Sequence, residues 1–228
     1  HQFGDIDRLH KIFPALVGYV NWWRLNRTWQ NGTYWSSGWG TGMDNMPRVK
    51  DEYNQIYSHG HMVWLDTNLQ QILTDEVMMQ IGFYIERWQE IEEYEDEIKY
   101  LSSYVNDNLW NEETDFLHDQ YRDGTLCDTK GIGAYWALQT TVLDKEREDK
   151  LVAHLSDEKE FNRPHRVPSI SADNKKYNPK GRYWQGGVWP GTNYMLIDGL
   201  WKKGYYQKSR EIAENHFSSV FQVWKDTG

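Results

Sequence analysis

Apolar residues recur at three- and four-residue steps along most of this chain, and long aromatic connections separate the runs. Leu9, Ile12, Phe13, Leu16, Val17, Val20 and Trp23 line one face of a helix expected from Asp5 to about Arg27. Leu65, Leu69, Ile72, Leu73, Val77 and Ile81 do the same between Met62 and Arg87. A third helix over Glu90 to Asn108 carries Ile91, Tyr94, Ile98, Leu101 and Val105, with its acidic run expected as a solvated face. Shorter helices are expected near Ile132–Val142 and Lys145–Leu155, then from about Thr192 to Lys203 and about Gln207 to Trp224. Between them, Thr28 to Arg48 is rich in Gly, Ser, Trp and Asn. Asn111 to Leu126 is turn-rich, with Asp123-Gly124 as a hairpin signal, and Asp157 to Pro190 holds four of the six prolines. Such alternation suits an all-α fold of helical hairpins set in a ring, with the long loops gathered at one end. About seven helices make up roughly half of a closed toroid of twelve.

Composition then narrows the function. At 228 residues the chain is long enough for one substantial domain or two small ones. Lys and Arg number 25 against 34 Asp and Glu, a formal charge of -9, and no basic patch interleaves with aromatics. Nucleic acid and anionic membrane surfaces are therefore poor partners. No stretch approaches the roughly 20 apolar residues of a spanning helix, and mean hydropathy is -0.86. Cys127, the single cysteine, cannot close a disulfide within the chain or build a cysteine zinc site. The outlying numbers are 13 Trp and 15 Tyr. Aromatics this dense fill a large core or line a site that stacks on flat, weakly polar ligands, and sugars are the first such class. The chain opens on His1-Gln2-Phe3 with no targeting signal and closes just after a helical pattern, so it reads as part of something longer. Cytoplasm and periplasm fit this sequence equally.

Four clusters could carry chemistry. In Trp39-Gly40-Thr41-Gly42-Met43-Asp44-Asn45-Met46-Pro47-Arg48, glycines precede a lone carboxylate in an aromatic loop. Desolvation by Trp35 and Trp39 would raise the pKa of that acid, as a general acid near neutrality requires. The plain alternative is that Asp44 caps a turn and pairs with Arg48. Tyr183-Trp184-Gln185-Gly186-Gly187-Val188-Trp189 could form a rigid aromatic wall or a hydrophobic plug. His59-Gly60-His61 with Asp66 invites a metal, but helical spacing turns His61 and Asp66 apart, and hydrogen bonding to structure or sugar hydroxyls fits better. Arg163-Pro164-His165-Arg166 could bind a carboxylate, although a rigid, well-paired loop is the commoner outcome. Lys130 divides evenly between reaching a site and lying on the surface.

These motifs occur in one order: Gly42 to Arg48, Trp64-Leu65-Asp66-Thr67-Asn68, Gly131-Ile132-Gly133-Ala134-Tyr135-Trp136, Pro164 to Pro168, and Tyr183 to Trp189. The series resembles glycoside hydrolase family 63 and the related mannosylglycerate and glucosylglycerate hydrolases, with trehalases more distant. The likeness runs from about Asp5 to Gly228. It implies an (α/α)6 toroid with its active site at the loop-bearing end. It also implies inverting hydrolysis of an α-glycosidic bond, without a cofactor. By motif position, Asp44 would be the general acid, and Trp39, Tyr183 and Trp184 would shape the sugar pocket. Arg48, Asp66, Asn68 and Trp189 would bind hydroxyls or support those that do. No metal ligand set is implied, and bound calcium stays open.

Two departures from the family pattern matter. Gln185 stands where relatives commonly carry Arg, which leaves the substrate class open. The family's general base is a Glu in a segment that follows a Thr-Gly like Thr227-Gly228, and no Glu here matches it. The expectation is an incomplete catalytic domain over 1–228 whose base lies beyond Gly228, lacking N-terminal helices, with the rest of its own domain as a candidate partner. Its substrate would be an α-linked oligosaccharide or glycoside. A non-catalytic α-glycan-binding module that kept the aromatic pocket is the alternative, and a purely structural helical fragment is a third reading.

Overall fold

The structure is a computed structural model that describes residues 4–228; His1 to Phe3 lie outside the described residues. The α-helices are α1 (Ile6–Asn26), α2 (Gly38–Thr41), α3 (Leu65–Tyr84), α4 (Trp88–Tyr104), α5 (Lys145–Ala153), α6 (Pro190–Lys202) and α7 (Tyr206–Thr227). A π-helical turn over Val105–Leu109 leads into a two-stranded antiparallel hairpin, β1 (Trp110–Asn111) and β2 (Phe116–Leu117), and Ile132–Gln139 form a 3-10 helix.

Helix starts follow local chemistry. Asp5 and Asp144 accept the N–H groups of Arg8 and Arg147, each at 2.9 Å, and so cap α1 and α5. Pro190 opens α6, where its missing N–H costs nothing. No side chain of its own caps α3. Asp119 does so from a distant segment, its Oδ1 accepting the Leu65 N–H at 2.8 Å.

Burial separates inner from outer helices. The inner set is α3, the 3-10 helix and α6, which bury much of their circumference, whereas α1, α4 and α7 bury two residues each. The 3-10 helix packs between α3 and α6, with α4 outside α3 and α7 outside α6. Inner and outer helices thus alternate along the chain, the arrangement of an all-α toroid. At the α3–α4 crossing a Cβ on Gly82 would stand 2.2 Å from Ile91 Cγ2, so only glycine allows this approach. The main core joins Leu69, Ile72, Leu101, Phe116, Tyr135, Phe161, Leu196 and Leu200; a second cluster of Phe13, Val20, Met78 and Tyr94 lies under α1.

Two expectations change and one holds. The segment near Ile132–Val142 is 3-10 rather than α over Ile132–Gln139, where six of eight residues are buried between α3 and α6. Asp123-Gly124 does turn a short hairpin, as expected: the Tyr121 N–H bonds to Thr125 O at 2.8 Å, the Cys127 N–H to Asp119 O at 2.9 Å, and Gln120 pairs antiparallel with Leu126, while the longer β1–β2 pair lies earlier. The acidic face of α4 is not wholly solvated. Glu97 accepts Arg24 Nε at 2.7 Å and the Tyr34 hydroxyl, tying α4 to α1 beside fully buried Asp75 of α3. Burial, reinforced by nearby Glu97, raises the Asp75 pKa and favours its protonated form.

Candidate active site

The residues immediately before the three inner helices, Trp64, Gly131 and Trp189, lead back into loops that meet at one end. The first of these loops carries Asp44. Ser37 Oγ accepts the Gly40 N–H at 3.1 Å and caps the single turn of α2, which Gly42 ends with φ +72°. A Cβ on Gly38 would meet Gln55 O at 2.4 Å and Asp44 O at 2.6 Å, so the glycine lets the acid-bearing turn fold tightly against a neighbouring segment.

Asn45 then clamps this turn to the third loop. Its Nδ2 donates to Arg182 O at 3.1 Å, and its Oδ1 accepts the Trp184 N–H at 2.8 Å. Gln185 Nε2 donates to Asn45 O at 3.3 Å. The residue at the departure from the family pattern therefore spends its side chain on structure. Ser169 holds the same loop from the far side, its N–H donating to Gly187 O at 2.9 Å and its Oγ accepting from Gly186 N at 3.0 Å. The two clamps bring the Tyr183 hydroxyl to Asp44, donating to Oδ2 at 3.3 Å.

Tyr183 is held at φ +67° and is 49% exposed. Behind it Trp184 and Trp189 stack at 4.5 Å and 12°, and Tyr183 meets Trp189 edge-on at 5.2 Å. Trp189 Nε1 donates to Tyr183 O at 3.3 Å, while the buried indole N–H of Trp184 has no partner among the described residues. The wall is therefore a rigid aromatic surface with one unused donor. Asp44 is half-buried beside it, and Trp35 packs against Trp29 and His59. Trp39 is 67% exposed and pairs with Tyr57, ring centroids 6.1 Å apart, rather than with Trp184.

Arg48, Asp66 and Asn68 lie deeper. Arg48 forks onto Asp66 (2.7 and 3.0 Å) and onto Asp119 (2.9 and 2.6 Å), with its guanidinium 4.3 Å over the Trp64 ring. Burial alone would lower the Arg48 pKa; Asp119 and Asp66 outweigh it and raise it, so the cation persists. Asp44 is not its partner, which removes the cap-and-salt-bridge alternative. Asn68 Nδ2 donates to Tyr34 O at 3.0 Å and Trp64 O at 2.7 Å, and Oδ1 accepts from Tyr34 N at 2.9 Å. All three side chains are engaged with protein partners.

The remaining candidates lie elsewhere. His59 and His61 meet edge-on at 4.4 Å in a cluster with Trp29, and Asp66 is fully engaged with Arg48, so the three do not converge. Lys130 is held by Glu160 and by Asp173 at 2.9 Å. The Arg163–Arg166 loop is pinned to α7: Asn215 accepts Arg166 N at 2.8 Å and donates to Pro164 O at 3.0 Å. Sequence reading missed Asn45 and Asp119. Asn45 was visible only as the neighbour of Asp44, and Asp119 had no local signal at all.

With this geometry in view, the comparisons decide the family. The family model described as the mannosylglycerate hydrolase MGH1-like glycoside hydrolase domain matches residues 2–225. The chain belongs to this family. An uncharacterized protein of Borreliella burgdorferi is 22% identical over 226 residues, covering 98% of the chain but 45% of that protein. The mannosyl-oligosaccharide glucosidase of Saccharomyces cerevisiae is 19% identical, over 96% of the chain and 31% of that enzyme. This MGH1-like domain therefore spans less than half the length of either relative. The GH63 mannosylglycerate hydrolase from Thermus thermophilus, solved with glucose, has a TM-score of 0.81 at 19% identity, covering 95% of the chain and 61% of that structure. Neutral trehalase from Saccharomyces cerevisiae has a TM-score of 0.65 at 13% identity, covering 81% of the chain and 34% of that structure. These likenesses give the MGH1-like domain an (α/α) fold shared with GH63 structures.

Proposed function

We propose that this domain supplies the acid half of an inverting glycoside hydrolase acting on an α-linked glucoside or mannoside. The observation that carries the reading is the Tyr183 hydroxyl at 3.3 Å from Asp44 Oδ2, with the Trp184–Trp189 stack beside it. One carboxyl oxygen is thereby oriented, and the other is left to give its proton to the departing glycosidic oxygen. A sugar ring lies against the Tyr183–Trp184 wall, and Trp39 with Tyr57 extends the aromatic surface outward. The C–O bond breaks as a water attacks the anomeric carbon from the opposite face, through an oxocarbenium-like transition state. The base that takes the water's proton is a glutamate outside these 228 residues, about 6.5–9.5 Å from the acid. The printed names of the relatives, a mannosyl-oligosaccharide glucosidase and a mannosylglycerate hydrolase solved with glucose, favour gluco- or manno-configured substrates.

Asp44→Asn in the complete protein tests this. The expected loss on an O-linked α-glycoside is about 10²–10⁴-fold in kcat/KM. With an α-glycosyl fluoride the loss should be much smaller, because fluoride departs without full protonation. Activity within about tenfold of the parent on the O-glycoside would remove Asp44 from the acid role. Tight binding of an α-disaccharide by the complete protein, unchanged by Asp44→Asn and without turnover, would instead favour the glycan-binding module.

A further inference from the structure

A cavity of about 550 Å³ opens on another part of the surface, lined among others by Trp29, Gln30, His61, Tyr104, Tyr121 and Arg122. None of its lining residues bonds to Asp44, Asn45 or the 182–189 loop among the described residues. Met62 forms part of its wall and belongs to a core cluster with Val49 and Trp64. This volume lies within the roughly 300–1,000 Å³ of small-molecule sites.

Its polar groups fall into two sets. Trp29 Nε1 donates to Met62 O at 2.9 Å, the Tyr104 hydroxyl to Gln120 Oε1 at 2.6 Å and the Tyr121 hydroxyl to Arg48 O at 3.1 Å. These bonds fix three aromatic side chains in place. By contrast, the side chains of Gln30, His61 and Arg122 have no hydrogen-bond or ion-pair partner among the described residues. His61 is nevertheless held firmly: its φ is +49°, its N–H donates to His59 Nδ1 at 3.0 Å, and its ring stacks on Trp29 at 6.2 Å and 20°. A residue in the left-handed region costs of order 1–3 kcal/mol, and His61, Gln30 and Arg122 are all exposed at this cavity, their side-chain polar atoms open to a ligand.

We propose that this cavity is a second carbohydrate site, taking a neutral hexose unit of a glycan at a distance from the hydrolytic centre. Tyr104 and Tyr121, fixed by their hydroxyl bonds, offer apolar surface to the C–H face of the ring, and the Trp29 ring, already stacked by His61, backs them. An amide, an imidazole and a guanidinium then hydrogen-bond its hydroxyls. The formal charge of -9 disfavours an anionic sugar. Such a site would hold a long substrate while one of its ends reacts, and it also accounts for the His59-Gly60-His61 motif that Asp44 chemistry leaves unused.

The test is a titration of the 228-residue chain with methyl α-D-glucopyranoside and, separately, methyl α-D-mannopyranoside. It follows the indole ¹⁵N–H resonances, with Trp29 assigned through Trp29→Phe. The expected result is a saturable shift of the Trp29 signal by at least one sugar below about 100 mM. It should weaken about tenfold or more in His61→Gly/Arg122→Ala and in Arg122→Ala alone, and persist in Asp44→Ala. Both substituted residues are exposed, and glycine accepts the positive φ, so the remaining indole signals should report an intact fold. Three outcomes would overturn the proposal: no saturable shift with either sugar, full-strength binding in the double variant, or loss of the Trp29 shift in Asp44→Ala. Only the last would point back to the Asp44 centre.

Discussion

Arg48 sits between two carboxylates with almost no access to solvent, and each carboxylate takes two of its nitrogen contacts. A lysine keeps the charge but lacks the planar fork, so Arg48→Lys should leave at least one buried aspartate poorly paired. The expected loss is about 3 kcal/mol or more, read as a drop in the denaturation midpoint at unchanged m-value. Asn45→Ala removes two side-chain hydrogen bonds and should cost about 1–3 kcal/mol. Its larger effect should be on activity of the complete protein, because the 182–185 turn is then free to carry Tyr183 away from Asp44. A kcat/KM equal to the parent's would mean that the clamp is dispensable. Asp44, Tyr183 and Trp184 were legible in the sequence because each lies in a distinctive local string. Asn45 and Asp119 were not, because their partners lie 139 and 71 residues away and spacing along the chain carries no sign of them.

At the scale of elements, the long periodic helices were read closely: α1, α3, α6 and α7 begin and end within a few residues of expectation. Where periodicity was absent, as in the almost uniformly apolar Ile132–Gln139, only packing against α3 and α6 decided between 3-10 and α. The β1–β2 hairpin illustrates a charge effect that sequence does not reveal. His118 follows β2, is almost fully buried, and bonds through Nε2 to Thr114 Oγ1 at 2.9 Å. Burial lowers its pKa to about 4 from 6.5. The unfolded chain therefore binds this proton first, and stability is complete above about pH 6.5 and lost as pH falls toward 4. Over that window His118 should contribute a loss of about 3 kcal/mol. The check is urea unfolding of parent and His118→Gln at several pH values. The variant should lack this part of the acid sensitivity, and parallel curves would show that His118 does not set it.

For the whole molecule, the outer helices at the two ends of the arc keep apolar faces in solvent. On α7, Phe217, Val220, Phe221, Val223 and Trp224 are exposed, with Phe217, Phe221 and Trp224 stacked in a row; on α1 the same holds for Tyr19, Trp22 and Leu25. Faces of this extent commonly mark contact surfaces. The 228-residue chain by itself should therefore self-associate in sedimentation velocity, and Phe221→Glu/Trp224→Glu should shift it toward monomer. A monodisperse parent at high concentration would count against an incomplete ring. The bond from Asn45 to Trp184 spans 139 residues of chain, and that span has a kinetic meaning. Closing so long a loop is entropically costly until the intervening helices have packed and brought its ends together. During refolding, secondary structure and core should therefore form while Asp44 and the Tyr183–Trp184 wall are still apart, and the contact between them should be among the last features regained.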